Sequence, residues 1–154
     1  MLNDEIRLLE VMSKQECLDL LPKVGIGRIG IAINQFPQIF PINFARSRDD
    51  IVFMTGPGTK LTSALLGRPV AFEVDYVSPM YHAGWSIVIT GSCEEIIAPD
   101  ELVEAKRLPL QPWAPGNRRH YVRIRNEEIS GRRIAPISNN LFGANSSGES
   151  IQIQ

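Results

Sequence analysis

VGIGRIGIAI-NQFP-QIFPINFARS-RDD-IVFMT, residues 24–55, decides the fold. Residues 24–33 are β-rich and apolar at alternate positions, which is the period of a half-buried strand. Asn34-Gln35-Phe36-Pro37 is turn-like, and 38–47 reads as the partner strand of a hairpin. Arg48-Asp49-Asp50 makes a second turn, and 51–55 is a third strand. Three strands joined by short turns run antiparallel, because parallel neighbours need a crossover of a dozen or more residues.

The pattern extends in both directions. Ser13-Lys14-Gln15-Glu16 has the spacing of a capping box, so a short helix should run through Leu18, Leu20 and Leu21 and stop at Pro22. After residue 55 comes Gly56-Pro57-Gly58, then a helical pattern over 59–66 with Leu61, Leu65 and Leu66, closed by Gly67. In 68–77, Val70, Phe72, Val74 and Tyr76 share one face of a strand, and Ala71, Glu73, Asp75 and Val77 the other. Residues 84–98 form a long strand in which Gly91 marks a bulge or bend. Pro99-Asp100-Glu101 opens a helix to about Leu108, with Asp100 as the expected cap. Residues 111–117 are a Pro/Gly loop carrying Trp113, and 120–135 read as a last strand or pair. Many short strands with few helices argue for an antiparallel barrel with helices packed outside it. One domain over 1–136 and a polar tail over 137–154 are expected, the end of the tail mobile.

Composition narrows the function classes. At 154 residues, 44% hydrophobic and 21% charged, the chain can bury a core unaided. A formal charge of −1 offers no global attraction to nucleic acid or anionic membrane. Arg118-Arg119 and Arg132-Arg133 lack interleaved aromatics, so neither nucleic acid nor membrane is expected as a partner. The N-terminal MLNDEIRLLE has neither a signal-peptide nor a membrane-span pattern. Cys17 and Cys93 read as reduced core thiols of a cytoplasmic protein.

No catalytic constellation is visible. His82 and His120 stand in no metal-binding spacing, and Walker A and G-x-S-x-G motifs are absent. The glycines of VGIGRIG lie inside a strand pattern and read as places of close packing rather than a phosphate loop. The stretch FMTGPGTKL, 53–61, has two readings. In one, Thr59 caps a helix and Lys60 is solvated. In the other, the hydroxyls of Thr55 and Thr59, the Lys60 ammonium and the free amides of a helix start receive an anion, with Gly56 and Gly58 allowing close approach. In PINF, 41–44, Pro41 implies a sheet edge or a ligand-facing position. Asn43 is a misfit in a strand whose amide could serve a flat heterocycle, or lie next to a turn. Trp85 and Trp113 are either core or ring-covering aromatics.

Taken in order, GRIGIA, PINF, IVFMT, GTKL, GRPVAFEVD and GWSIVITG resemble the pyridoxamine 5′-phosphate oxidase-like flavoproteins over residues 10 to 135. The similarity is greatest to the small bacterial branch that includes nitroimidazole-resistance-type proteins. The resemblance implies a mainly β protein, a six-stranded antiparallel split β-barrel with peripheral helices. It implies FMN as cofactor, bound at two composite sites of a homodimer, and oxidoreduction of a small molecule. Thr55, Thr59 and Lys60 would then hold the FMN phosphate. Pro41, Ile42, Asn43 and Phe44 would lie along the isoalloxazine ring, and Phe53 and Met54 would line the same cleft. Trp85 and Ser86 would approach the flavin, reached from the partner subunit. No residue is assigned as catalytic and no metal is expected.

The chain also departs from the family pattern. From Ile137 onward there is no Arg or His, which argues against a vitamin B6 oxidase activity. A second basic residue beside Lys60 is missing, and Arg28 is a better substitute than Arg68. Two alternatives stay open: a deazaflavin F420-dependent reductase, and a non-catalytic flavin- or haem-binding module with His82 as axial ligand.

Overall fold

The structure, a computed structural model, describes residues 9–56, 60–80, 82–111 and 120–134. Among the described residues, eight strands and three helices follow in the order β1 (Leu9–Met12), α1 (Lys14–Leu20), β2 (Val24–Ile33), β3 (Phe36–Ser47), β4 (Asp50–Thr55), α2 (Lys60–Leu65), β5 (Pro69–Ser78), β6 (Ala83–Glu95), α3 (Pro99–Arg107), β7 (His120–Ile124) and β8 (Glu128–Ile134). All named pairings are antiparallel. The sheet order is β1-β8-β6-β5-β2-β3-β4-β7, and a further β6–β7 pairing closes it. Six strands therefore form the ring, and β8 and β1 splay away from it as a side wing.

The split happens on β6. Its residues Gly84 to Thr90 pair with β8, whereas Cys93 to Glu95 pair with β7. Gly91 sits between the two ladders, where the β7–β8 turn crosses the strand. A Cβ there would collide with the Arg125 carbonyl oxygen. The expected bend is thus the fork of the barrel, and only a residue without a side chain lets the two backbones pass. The segment 120–135 resolves into a pair of strands for the same reason.

Period-two alternation sorts the side chains. Ile29, Ile31, Phe44, Ile51, Phe53, Phe72, Val74, Ile87, Ile89, Val122 and Ile124 fill the interior. The Phe44 and Phe72 rings meet edge to face, with centroids 4.9 Å apart. Gly27 makes room for them, since a Cβ there would lie 2.6 Å from Phe72 Cζ. The helices lie outside. α1 carries buried Cys17 under the β8 wing, and α3 packs its Leu102 and Ala105, with Leu108 just past its end, against Val52 and Ile96.

Local signals were realised with small shifts. The capping box forms as expected: Ser13 N donates to Glu16 Oε2 at 2.7 Å and Glu16 N donates to Ser13 Oγ at 3.2 Å. The β2–β3 turn is shorter than NQFP, with Asn34 and Gln35 at φ 50° and 70° and Phe36 already in the strand. Two left-handed residues match the twist of a two-residue hairpin. Asp100 is not the cap of α3. Ala98 holds that place without a side-chain bond, because Pro99 takes the first helical turn and moves Asp100 inside it. Both cysteines are free and buried, and burial pushes the Cys93 thiol up to about 12. The expected tail and the Trp113 loop, apart from Gln111, lie outside the described residues.

Candidate functional site

The expected site residues fall into two groups at opposite ends of β6. The first surrounds the end of β4. Ile51 and Phe53 point into the core, and by parity Thr55 points the same way while Met54 shares the outer side with Val52. The β3–β4 ladder ends at Phe44 opposite Phe53. Beyond it, Met54 and Thr55 pair only with Tyr121 and His120 of β7, and Pro41, Ile42 and Asn43 pair only with β2. The two strands thus part in a notch between PINF and the end of IVFMT. Pro41 is tolerated there because its strand edge toward β4 carries no ladder bonds.

Thr55 Oγ1 is buried at this notch and has no hydrogen-bond partner among the described residues. A hydroxyl withdrawn from water without a partner costs about 1–3 kcal/mol, so its position calls for a ligand group. Of the other expected residues, Asn43 is half-buried on the outer face opposite Ile26. Phe44 and Phe53 are buried in the core, so what they can offer a bound molecule is backbone edge. Lys60 opens α2, a helix of only six residues. Thr59 and the Lys60 side chain lie outside the described residues.

The sequence pattern passed over His120. Its Cα is the direct partner of Thr55 across the β4–β7 ladder, and its Nδ1 is held by the Glu95 carboxylate. Nothing local to residue 120 signals this, since the pairing joins positions far apart in the chain. Arg28 does not reach this group. It lies on the outer face opposite Pro41, where Nη1 donates to Glu73 Oε2 at 3.1 Å and stands 3.7 Å from Asp75. Burial raises the Glu73 carboxyl above its ordinary value, and the Arg28 bond works against that rise. Arg68 donates instead to the Ala32 carbonyl at 3.4 Å.

The second group is Trp85 and Ser86, at the start of β6. They line a pocket of about 290 Å³ together with Asp75, His82 and Arg132. From Trp85 to Glu95 the strand advances about 33 Å at 3.3 Å per residue. A larger groove of about 770 Å³ opens on the outer face between Ile39, Ala71 and Thr90, and contains none of the expected residues. Elsewhere, Arg123 joins Glu94 at 3.2 Å and Glu101 at 3.1 Å, tying α3 to the barrel. Burial alone would lower its guanidinium, but those two carboxylates outweigh it and hold it above its ordinary value. Among the described residues no group of three or more His, Cys, Asp or Glu could hold a metal ion, and no helix is long and apolar enough to cross a membrane.

Comparison with known proteins agrees with this architecture. The family model for pyridoxamine 5′-phosphate oxidase matches residues 13–133. The uncharacterized protein Rv0080 of Mycobacterium tuberculosis is 30% identical over 128 residues, which are 80% of this chain and 84% of that one. The FAD binding protein from Mycobacterium smegmatis is 37% identical and superposes with a TM-score of 0.75, over 81% of this chain and 98% of that one. A candidate 5-nitroimidazole antibiotic resistance protein from Bacteroides thetaiotaomicron, 14% identical, shares the fold at a TM-score of 0.65 over 81% of this chain and 88% of that one. Strand order, the fork at Gly91 and the match over most of the chain together make this protein a member of the pyridoxamine 5′-phosphate oxidase family.

Proposed function

We propose that the chain is a flavoprotein, binding FMN and using it in the oxidoreduction of a small molecule. The observation that carries this reading is the buried, unpartnered Thr55 hydroxyl at the notch where β3 and β4 part. A buried hydroxyl just before a helix start, in a stretch whose sequence also carries Thr59 and Lys60, is a donor set suited to a phosphate. The residues present therefore fit the group: Thr55, Thr59 and Lys60 bind the phosphate, and the edge of PINF orients the ring system. When bound, the flavin supplies hydride or electron transfer, which explains why no acid–base constellation is needed in the protein. The name of the Mycobacterium smegmatis relative favours flavin and makes FAD the second reading. Thr55 and Lys60 suit either, because both cofactors carry a phosphate on the ribityl chain, a terminal monoester in FMN and part of a diphosphate in FAD.

The active unit is a homodimer with composite sites. Two features support it. Trp85 and Ser86 lie some ten residues along β6 from the level of Thr55, so one site that uses both groups draws them from two copies. One sheet face also leaves Val11, Ile26, Ile39 and Val77 between 56% and 81% exposed. Large apolar side chains left exposed on the outer side of the sheet are material for an interaction surface.

The test is an absorption spectrum of the purified protein, followed by mass analysis of what heat releases. A yellow protein giving one FMN per chain is expected, and one FAD per chain selects the second reading. A colourless protein that takes up neither added flavin overturns the proposal. In the loaded protein, Lys60→Ala weakens binding by about 1–3 kcal/mol.

A further inference from the structure

Glu95 and His120 form a carboxylate–imidazole pair that the barrel does not need for closure. The β6–β7 ladder already runs from Cys93 to Glu95, and Ile96 N donates to the Tyr121 carbonyl at 2.9 Å just beyond it. The pair sits at the barrel mouth, with His120 directly opposite Thr55 of β4. Opposed residues share a sheet face, with Cβ atoms about 5 Å apart. The Thr55 hydroxyl is buried without a partner among the described residues, whereas the His120 side chain is still 39% exposed. Glu95 holds the ring by Nδ1, and among the described residues no hydrogen bond reaches Nε2. One nitrogen is anchored and the other is left for a ligand.

Protonation decides what that second nitrogen can do. With Nδ1–H donating to a carboxylate, the neutral ring carries only a lone pair at Nε2, which repels an anion. Only the imidazolium donates from both nitrogens. We propose that the barrel mouth binds an oxyanion of the phosphate or sulfate type together with one proton. The anion takes hydrogen bonds from Thr55 Oγ1 and His120 Nε2, the proton enters from solvent at Nε2, and Glu95 stays ionised. No bond in the anion breaks and no electron moves. Glu95 is the positioning residue, since it fixes the ring and supplies the counter-charge. Cys93 lies two residues back along the same side of β6, and burial pushes its thiol up to about 12. Glu94 is on the other side of that strand, bridged to Arg123, which Glu101 of α3 shares. Tyr121 packs outward on the cluster of Val52 and Ile96. From β4 only Met54 and Thr55 reach this level, and Lys60 opens α2 with its side chain outside the described residues. That the anion is the phosphate of a flavin rests on the flavoprotein reading, whereas the proton linkage concerns this chain alone.

The first probe is FMN, with riboflavin as the control that lacks the phosphate. Above pH 7 the phosphate of FMN is already a dianion, so a fall in affinity between pH 7 and 9 that riboflavin does not share belongs to the protein. The parent should lose up to about tenfold in FMN affinity per pH unit as the ring gives up its proton. His120→Gln should bind FMN more weakly at pH 7 and lose that slope, and Glu95→Gln should flatten it, both leaving riboflavin affinity unchanged. A parent without a slope, or a slope that survives in either variant, overturns the proposal. If the chain takes up neither FMN nor FAD, the flavoprotein reading fails, and sodium sulfate, a dianion throughout this range, tests the linkage in its place. The chain has two histidines, so proton NMR with His82→Gln as the assignment reads their rings separately. At pH 7 sulfate should move the His120 signals toward those of the charged ring and leave those of His82 in place. Unmoved His120 signals overturn the proposal. The same titration on the parent decides the matter if a variant does not fold.

Discussion

Thr55 and His120 face each other across the β4–β7 ladder, one with a buried hydroxyl that has no partner among the described residues, the other with its ring nitrogen held by Glu95. Directly opposed residues share a sheet face, with Cβ atoms about 5 Å apart. The barrel therefore places an orphaned donor and an oriented imidazole at one mouth, next to the start of α2. Such a pair is costly to keep unless something occupies the space between PINF and the end of β4.

Replacing Thr55 with valine separates the two roles of that hydroxyl. The shapes are nearly equal, so the variant removes an unsatisfied buried oxygen from the empty protein. Stability without cofactor should hold or rise by about 1 kcal/mol. Affinity for FMN should fall about tenfold, from the loss of one hydrogen bond to a charged group. Paired thermal melts and flavin titrations measure both, and a destabilised variant with unchanged flavin affinity would contradict the assignment.

Composite sites tie assembly to cofactor retention. Ile39 is 70% exposed on the outer face, so Ile39→Asp should leave the fold of one subunit intact, within about 0.5 kcal/mol. On the proposed dimer the same change should release subunits and flavin together. Sedimentation with detection at both protein and flavin wavelengths follows the two losses. A monomer that still carries its flavin would refute the shared site.

The fork at Gly91 is the most sensitive backbone position in the barrel. Gly91→Ala pushes a methyl group into the Arg125 carbonyl, which is backbone and has no rotamer in which to yield. A loss of about 3 kcal/mol or more is expected, a large share of the usual 5–15 kcal/mol of a domain. A urea midpoint close to that of the parent would show that the crossing can widen.

Helix α1 should weaken in acid. Backbone and side-chain hydrogen bonds from Ser13 lower the Glu16 carboxyl below its ordinary value, with Arg133 adding to them. A carboxyl lowered in the folded state contributes stability above its unfolded value, and loses it as pH falls through the folded one. Glu16→Gln should therefore flatten the acid limb of the stability profile and leave the alkaline side unchanged. Ser13→Ala should cost about 1 kcal/mol at neutral pH. Equal acid slopes for the parent and Glu16→Gln would show that Glu16 does not contribute.

What the chain determines by itself is whatever depends on near neighbours. Alternation over 29–33 and 70–74 set the inward faces, because successive side chains of a strand point to opposite sides, whereas Val24, Ile26 and Tyr76 at the far ends of the same strands are exposed. The capping box followed from two residues three apart. Asp100 was misjudged because Pro99 and Asp100 compete for the same helix start, and the ring of proline fixes the first turn. The ordered series of motifs carried the family and the list of site residues, but not their geometry. Only the tertiary structure decided that β6 pairs with β8 along one half and β7 along the other, and that the expected site divides between the two ends of that strand. It alone set His120 against Thr55 and left Arg132 in a pocket with Trp85 and Ser86. Those relationships join residues tens of positions apart through hydrogen bonds of the backbone. The backbone is the same at every residue, so no side-chain pattern near either partner records them.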